Sequence, residues 1–357
     1  MTKLYLAMEK DLLVVDVQGE RITTKQTLQG MQPICVTFDP FRRERVYCGT
    51  FGRGLWRSDD GGETWEPCGS PGLYTEPLMG RGINQAIVTA VAVSPVQQAN
   101  GYGVVFVGTE PTALYRSDDG GDNWTELENV RLLPSAATWS FPPRPHTSHI
   151  RWITPDIKEG EKIYVSIEAG AFIRSLDGGQ TWEDRKFRGP LDTHTLLTHP
   201  MAPGRLYAAA GDGLFEVGRE YLESKDAGLT WESKAEGLKH HYLYGMAVDP
   251  GNPDVIIVSA SVHAMEAHHL HQVTPESTIY RKEGNQPWQE VREGLPPTEG
   301  MVIPILAANQ DEPGVFYALT NQGLYRSADT GLTWRRLDID WKEEYERQHP
   351  HALAVRG

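Results

Sequence analysis

The stretch LWRSDDGGETW at residues 55–65 decides the fold. An apolar and aromatic run leads into a polar turn of Asp and Gly, and a Trp opens the next extended run, which is the pattern of a β-hairpin. The stretch returns as LYRSDDGGDNW (114–124), FIRSLDGGQTW (172–182), YLESKDAGLTW (221–231) and LYRSADTGLTW (324–334). A sixth copy, IYRKEGNQPW (279–288), keeps the aromatic, the Gly and the Trp but loses the Ser and the Asp. Upstream of the copies lie further strand pairs, such as TAVAVSP (89–95) with VVFVGT (104–109) and HTLLTHP (194–200) with RLYAAA (205–210). Each repeat is therefore a four-stranded unit, and radial repetition of such units builds a β-propeller.

Six units are complete within the chain, and its ends supply a seventh. LYLAM (4–8), DLLVVDV (11–17) and ITTKQTL (22–28) read as the second, third and fourth strands of a blade whose first strand is HALAV (351–355). The expected architecture is all-β: one seven-bladed propeller domain over residues 1–357, its seventh blade made of 1–30 plus 349–357. Pairing the C-terminal strand with the N-terminal ones leaves no open sheet edge. Strands buried between neighbouring blades read as continuous apolar runs, so few positions alternate cleanly.

The repeat S-x-D-x-G-x-T-W resembles the Asp-box, or BNR repeat, of sialidases, two-domain xyloglucanases, sortilin-type receptors and photosystem II assembly factor propellers. The resemblance extends over essentially the whole chain and implies the fold. It implies little about activity, because in those families the box is structural. The carboxylate (Asp59 or Asp60, Asp119, Asp177, Asp226, Asp329) is expected to accept hydrogen bonds from its own turn, Gly to take positive φ and Trp to fill the blade interior. A true sialidase needs an Arg-Ile-Pro segment ahead of its first box, an arginine triad and six blades, and no Arg-Ile-Pro occurs here. Asp-box xyloglucanases pair two propellers around a long cleft, where this chain has one.

Composition narrows the classes. Of 357 residues 39% are hydrophobic, with 10 Trp, 14 Tyr and 9 Phe, enough to bury a large core. A formal charge of −14 without a Lys/Arg run argues against nucleic acid as a partner. The apolar runs near the N-terminus are broken by Glu9, Lys10 and Asp11, so neither a signal peptide nor a membrane helix is expected, and the expected location is the cytoplasm. Cys35, Cys48 and Cys68 lack metal-type spacing and are expected as free thiols, the first two on neighbouring strands.

Function has to come from residues outside the box. Placed on the repeat, the histidines fall on the top face, where strands two to three and successive blades are joined, and only His199 of the 12 falls on the bottom. His146 and His149 precede a first strand, His194, His240 and His241 open others, and His349 and His351 open the seventh. His263, His268, His269 and His271 lie in one insertion, SVHAMEAHHLHQVTPEST (261–278), where Glu266 and His269 at i+3 spacing give a weak metal cue and a flexible lid is an equal alternative. Counted six residues back from the Pro that ends each first strand, Thr89, His149, His194 and Tyr244 share a slot at the channel mouth, and His351 holds it in the closing blade. After the second strands the matching slot holds Glu9, Glu110 and Glu168, with Asp212 one residue later; Arg144 and Arg151 lie close by.

Two or three imidazoles with a carboxylate are expected to hold a divalent metal, Zn, Mn or Fe, through His149, His194 and Glu168. Without metal the same residues are candidates for acid–base catalysis, with His146, Arg151, His241, Tyr244, Glu110, His351 and His263 as binding residues. The third possibility is a polar rim satisfied by backbone and water. The leading expectation is a hydrolase or lyase, glycosyl hydrolase-like or metal-dependent, acting on a small polar or saccharide-like substrate. The alternative is a non-catalytic binding or assembly propeller that holds a protein partner on its top face.

Overall fold

The computed structural model describes residues 2–68 and 82–357. Met1, where the expected closing blade begins, lies outside the described residues. Seven antiparallel sheets follow one another along the chain. The first complete one contains Pro33–Phe38, Val46–Thr50, Leu55–Ser58 and Glu66–Cys68, and the next Ile87–Ala99, Tyr102–Glu110, Leu114–Ser117 and Thr125–Glu126. Ile150–Pro155, Ile163–Ile167 and Ala171–Ser175 form a three-stranded sheet, with a single bridge between Arg174 and Glu183 in place of the fourth strand. Three further sheets start at Thr193–Thr198, Tyr242–Asp249 and Ile305–Ala308.

The last sheet has the order Ala352–Arg356, Thr2–Ala7, Leu12–Gln18, Arg21–Thr27. Its C-terminal strand runs antiparallel to the first strand of the chain, from Lys3 opposite Arg356 to Ala7 opposite Ala352. The fold is a seven-bladed β-propeller with one blade closed by the chain's two ends.

Residues 1–26 with 199–357 form one compact unit, and residues 27–198 form another. In the first, Leu4, Leu6, Leu13 and Val15 pack with Tyr317, Leu319 and Val355. In the second, Phe106, Leu114, Ile150, Ile163, Val165 and Ile167 share a core. All five residues of Ile163–Ile167 are buried, so neither face of that strand can carry polar alternation. Blades approach closely where a side chain is missing: a Cβ on Gly108 would stand 2.5 Å from Ile150. Cys35 and Cys48 lie on paired strands and are free thiols, and burial pushes the Cys35 thiol up to about 12.

The box Asp takes the same set of bonds in all five copies, with Asn123 standing in the second where the others have Thr. In the first, Asp60 is the box carboxylate: it accepts from Ser58 Oγ at 2.8 Å, Thr64 N at 2.8 Å and Thr64 Oγ1 at 2.6 Å. Asp59 instead pairs with Arg45 at 2.6 Å. Ser58 Oγ in turn accepts from Gly62 N at 2.8 Å, which ties the turn into one knot. The Trp does more than fill space, since the indole N–H of Trp65, Trp124 and Trp182 donates to a glycine carbonyl of its own turn. Trp124 is buried, but Trp65 and Trp182 are only half-buried, so the turn hydrogen bond holds them where the blade interior does not.

Asp177→Ala removes the acceptor of Ser175 Oγ, Thr181 N and Thr181 Oγ1. The expected loss is about 1–2 kcal/mol in a denaturant titration, with any activity spared, because the turn is exposed and water recovers part of the bonding. Burial alone would raise Asp60, but donors from Thr64 and Ser58 outweigh it and lower the carboxyl from 3.8 to about 2. Asp119, Asp177, Asp226 and Asp329 are lowered in the same way. A carboxylate lowered by folding stabilises above its unfolded pKa, so melting temperature is expected to drop as pH falls from about 4 to about 2, and less steeply in Asp177→Ala.

Candidate functional site

The described candidates gather most densely in the unit of residues 27–198. Its three-stranded sheet places His149 immediately before the strand Ile150–Pro155, and Glu168 immediately after the strand Ile163–Ile167. Ile150 pairs with Ile167, which sets His149 and Glu168 side by side at the strand ends. A bulge at Arg151 interrupts this ladder, and the guanidinium comes within 3.6 Å of Glu168. Thr154 Oγ1 donates to Leu196 O at 2.6 Å, which fastens the sheet to the strand Thr193–Thr198 carrying His194.

Glu168 is the centre of the cluster. Its Oε2 lies 2.8 Å from His149 Nε2, and its Oε1 lies 3.8 Å from His194 Nε2. Asp192 Oδ1 lies 3.6 Å from the same His194 nitrogen and accepts from Ala169 N at 2.9 Å. Ala169 takes φ of +50°, a left-handed conformation disfavoured for a residue with a Cβ, so the turn carrying Glu168 is strained and held by that hydrogen bond. Beyond His149, Glu110 receives a bidentate pair from Arg144, both contacts at 2.6 Å, and stands 3.6 Å from His149 Nδ1. Phe141 meets the His149 ring edge-on at 4.6 Å.

The two central carboxyls are driven apart. Burial pushes Glu168 up, but the His149 imidazole, by charge and hydrogen bond, with His194 and Arg151 behind it, outweighs burial and holds it well below the ordinary carboxylate range. Burial likewise pushes Asp192 up; there it prevails, because the opposing pull of His194 is offset by the Glu168 charge. Glu168 is thus lowered and its neighbour Asp192 raised, the kind of asymmetry that divides acid and base roles between two like groups. The ligating atoms of Glu168, Asp192 and His194 lie within 4.8 Å of one another, so these three could also hold a cation. His149 stands outside that trio: its Nε2 bonds to Glu168 at 2.8 Å, and its Nδ1 lies 3.6 Å from Glu110, beyond hydrogen-bond reach.

The slot counted from the prolines needs correction. Val88 pairs with Thr109 and Ile150 with Ile167, and the bulges that follow fall at Thr89 and Arg151. His149 therefore lies level with Ile87, two residues before the position of Thr89, because Pro155 follows the Arg151 bulge by four residues where Pro95 follows Thr89 by six. The equivalence of Glu110 and Glu168 holds, since Ile87 pairs with Glu110. The expectation of an open rim also fails for the histidines: His149 is 5% exposed and His194 1%.

The remaining candidates are distributed elsewhere. His146 stands exposed on the turn before its strand. In the unit of residues 1–26 and 199–357, His241 faces the buried Glu220 at 3.3 Å on the wall of a groove of about 910 Å³, with Lys234 and Lys282 nearby. Tyr244 packs on His268 and His351 beside His349, while His263 is exposed at the start of the short helix Ala264–His268. Asp192 was not singled out from sequence. The signal was present in D-T-H (192–194), since residues two apart on an extended strand share a face.

His149→Ala and His194→Ala are each expected to cost about 1–3 kcal/mol of stability, because each leaves a buried carboxylate short of a partner. Since both rings serve one carboxylate, the double variant should lose less than the two singles combined, as measured by a double-mutant cycle on thermal or denaturant unfolding.

Residues 56–67 match the family model of the BNR/Asp-box repeat. The xyloglucanase Xgh74A of Acetivibrio thermocellus is 26% identical over 264 residues, covering 67% of this chain and 29% of that protein. The chain spans under a third of the length of the curated relatives it matches. Among solved structures, an ancestral GH74 enzyme superposes with a TM-score of 0.63 at 17% identity over 87% of this chain and 39% of that one. YCF48 bound to D1 peptide superposes with a TM-score of 0.57 at 20% identity, over 88% and 84%. At such identities the structural likeness speaks to fold. Repeat, topology and comparisons agree that the chain is a seven-bladed β-propeller of the Asp-box kind.

Proposed function

We propose that the chain hydrolyses a saccharide-like substrate, with Asp192 as proton donor and Glu168 as the anion that attacks or stabilises the reacting carbon. The observation that carries this reading is the Glu168–Asp192 pair, two adjacent carboxyls whose surroundings push their proton affinities in opposite directions. Glycoside hydrolysis needs one carboxyl to protonate the leaving oxygen and a second, ionised one across the bond. Separations of about 5–5.5 Å go with retention of configuration and wider ones with inversion, and the ligating atoms here lie within 4.8 Å. His149, His194 and Arg151 hold the anion in place, and the Arg144–Glu110 pair fixes the far side of His149. Similarity to xyloglucanases makes a β-glucan backbone the first substrate to try.

A second reading rests on the Glu168, Asp192 and His194 trio: one imidazole and two carboxylates suit Zn, Mn or Fe, which would activate water for hydrolysis. The test is release of reducing ends from xyloglucan, mixed-linkage glucan and their oligosaccharides, with and without chelator. Turnover that survives chelation supports the carboxyl pair. Turnover that is lost with chelator and restored by one added cation supports the metal reading. Binding without turnover on any substrate would overturn the hydrolase proposal in favour of a binding propeller.

A further inference from the structure

In the unit of residues 1–26 and 199–357, the insertion between Asn252–Ser261 and Ser277–Glu283 is tied down by few contacts. At its foot Glu276 N donates to Glu266 O at 3.1 Å and Gly300 N to Pro275 O at 2.7 Å. Its short helix Ala264–His268 buries Ala267 against Tyr242 and Ile303, and Ile303 N donates to Ala267 O at 2.9 Å. The last residue of that helix, His268, reaches the chain ahead of the closing strand Ala352–Arg356, where its Nδ1 faces His349 Nε2 at 2.7 Å. On the other side of the ring, His268 Nε2 lies 2.8 Å from the Tyr242 hydroxyl.

Two imidazole nitrogens 2.7 Å apart share one proton and no more, since a second N–H would put two hydrogens into one gap. Assigned from these contacts, the neutral pair forms a one-way chain: the Tyr242 hydroxyl donates to His268 Nε2, and His268 Nδ1–H donates to His349 Nε2. One added proton fits on His268 Nε2, with the Tyr242 hydroxyl turned to accept from it. A second has His349 Nε2 to go to, where it meets the His268 Nδ1–H and sets two like charges in contact. Tyr244 packs against His268 and His351 against His349, so a charged His351 would add to the repulsion. The other charged groups on the surrounding elements are Glu266 on the helix, Glu299 on the chain bridged to Glu276, Glu9 and Lys10 on the turn that binds Gln348, and Glu346 and Arg347 before it. Their field moves the pH at which the second proton enters, but it does not relieve the contact between two N–H groups.

We infer that the His268–His349 pair is an acid-released latch, which holds the 262–276 insertion on the closing blade at neutral pH and frees it when both rings are charged, uncovering Tyr242 and Ile303. The closed latch binds one proton fewer than the open insertion, in which both imidazoles titrate freely near their ordinary value of about 6.5. The closed form is therefore favoured as pH rises and lost as pH falls. Below about pH 6, where free imidazoles fill, each further unit moves the closed-to-open ratio by up to about 10-fold towards open. The latch is independent of the Glu168 cluster and of the hydrolase proposal.

The test is hydrogen exchange on the full chain, read by mass spectrometry on peptides from 262–276 and corrected for the intrinsic pH dependence of exchange. In the wild type, protection of this segment should be level from about pH 8 to 6.5 and fall by about 10-fold from about pH 6 to 5, while the buried strand Leu12–Gln18 keeps its protection. His349→Gln is the decisive variant. Its amide oxygen accepts from His268 Nδ1–H whether or not His268 is charged, so protection should persist and the acid step should vanish. His349→Ala leaves His268 without this partner and should expose the segment at every pH. Equal wild-type protection at pH 7.5 and 5, an acid step that survives in His349→Gln, or wild-type protection in His349→Ala would overturn the latch. Loss of protection in Leu12–Gln18 at the same pH would overturn it too, because the event would then be global unfolding.

Discussion

Deletion of residues 349–357 is expected to lower the melting temperature by more than about 10 °C or to send the protein into aggregates. The removed strand covers one side of Thr2–Ala7, in which Leu4, Tyr5, Leu6 and Ala7 are wholly buried. Loss of Leu353 and Val355, together with exposure of Leu4 and Leu6, removes apolar burial worth about 1.5–3 kcal/mol for each side chain, on the order of 5 kcal/mol or more. That is a large part of the stability of an ordinary domain. The deletion also leaves Thr2–Ala7 as a bare edge, ready to pair with another chain. Calorimetry and light scattering on the truncated protein measure both effects, and an unchanged melting profile would refute closure by the chain's ends.

The closing strand was legible because its pattern, HALAV, matches the start of other blades, and the box turns were legible because their chemistry is local. Ser, Asp, Gly and Thr within seven residues bond to one another whatever surrounds them. The site was only half legible, for the opposite reason. Which residue of a first strand stands beside Glu168 depends on bulges and on strand length beyond them, and a count from Pro155 does not contain the shortening after Arg151. Burial of His194 depends on blades packed against it, which periodicity does not report. Asp192 escaped notice because a lone acid before a strand resembles a turn residue, until Ala169 N is seen to donate to it and His194 to stand 3.6 Å away. The His268–His349 contact joins residues 81 apart in sequence, and nothing local announces it.

If the proposed glucan hydrolysis is the reaction, Glu168→Gln and Asp192→Asn are each expected to reduce its kcat/KM by about 10³-fold, within the range general acid–base groups supply. Their stability effects should differ. Glu168→Gln removes an anion faced by His149, His194 and Arg151, and should be the more destabilising. Asp192→Asn removes a charge that burial disfavours and keeps an oxygen for Ala169 N, so it should be the milder of the two. The pH profile follows from the same asymmetry. A proton donor with a raised pKa works below that pKa, so the rate should fall as pH rises through the Asp192 value, and this limb should vanish in Asp192→Asn. The limb governed by Glu168 should lie at more acid pH than an ordinary glutamate gives, since that carboxyl is lowered. Losses of activity without this pH signature would point to positioning rather than proton transfer.

The most direct measurement is a crystal structure of the slow Glu168→Gln variant with a gluco-oligosaccharide bound. A glycosidic oxygen within about 3 Å of the Asp192 carboxyl, with the anomeric carbon facing residue 168, is the result this account predicts. A sugar held in the groove beside His241 and Glu220, or no sugar at the Asp192 pair at saturating concentration, would contradict it.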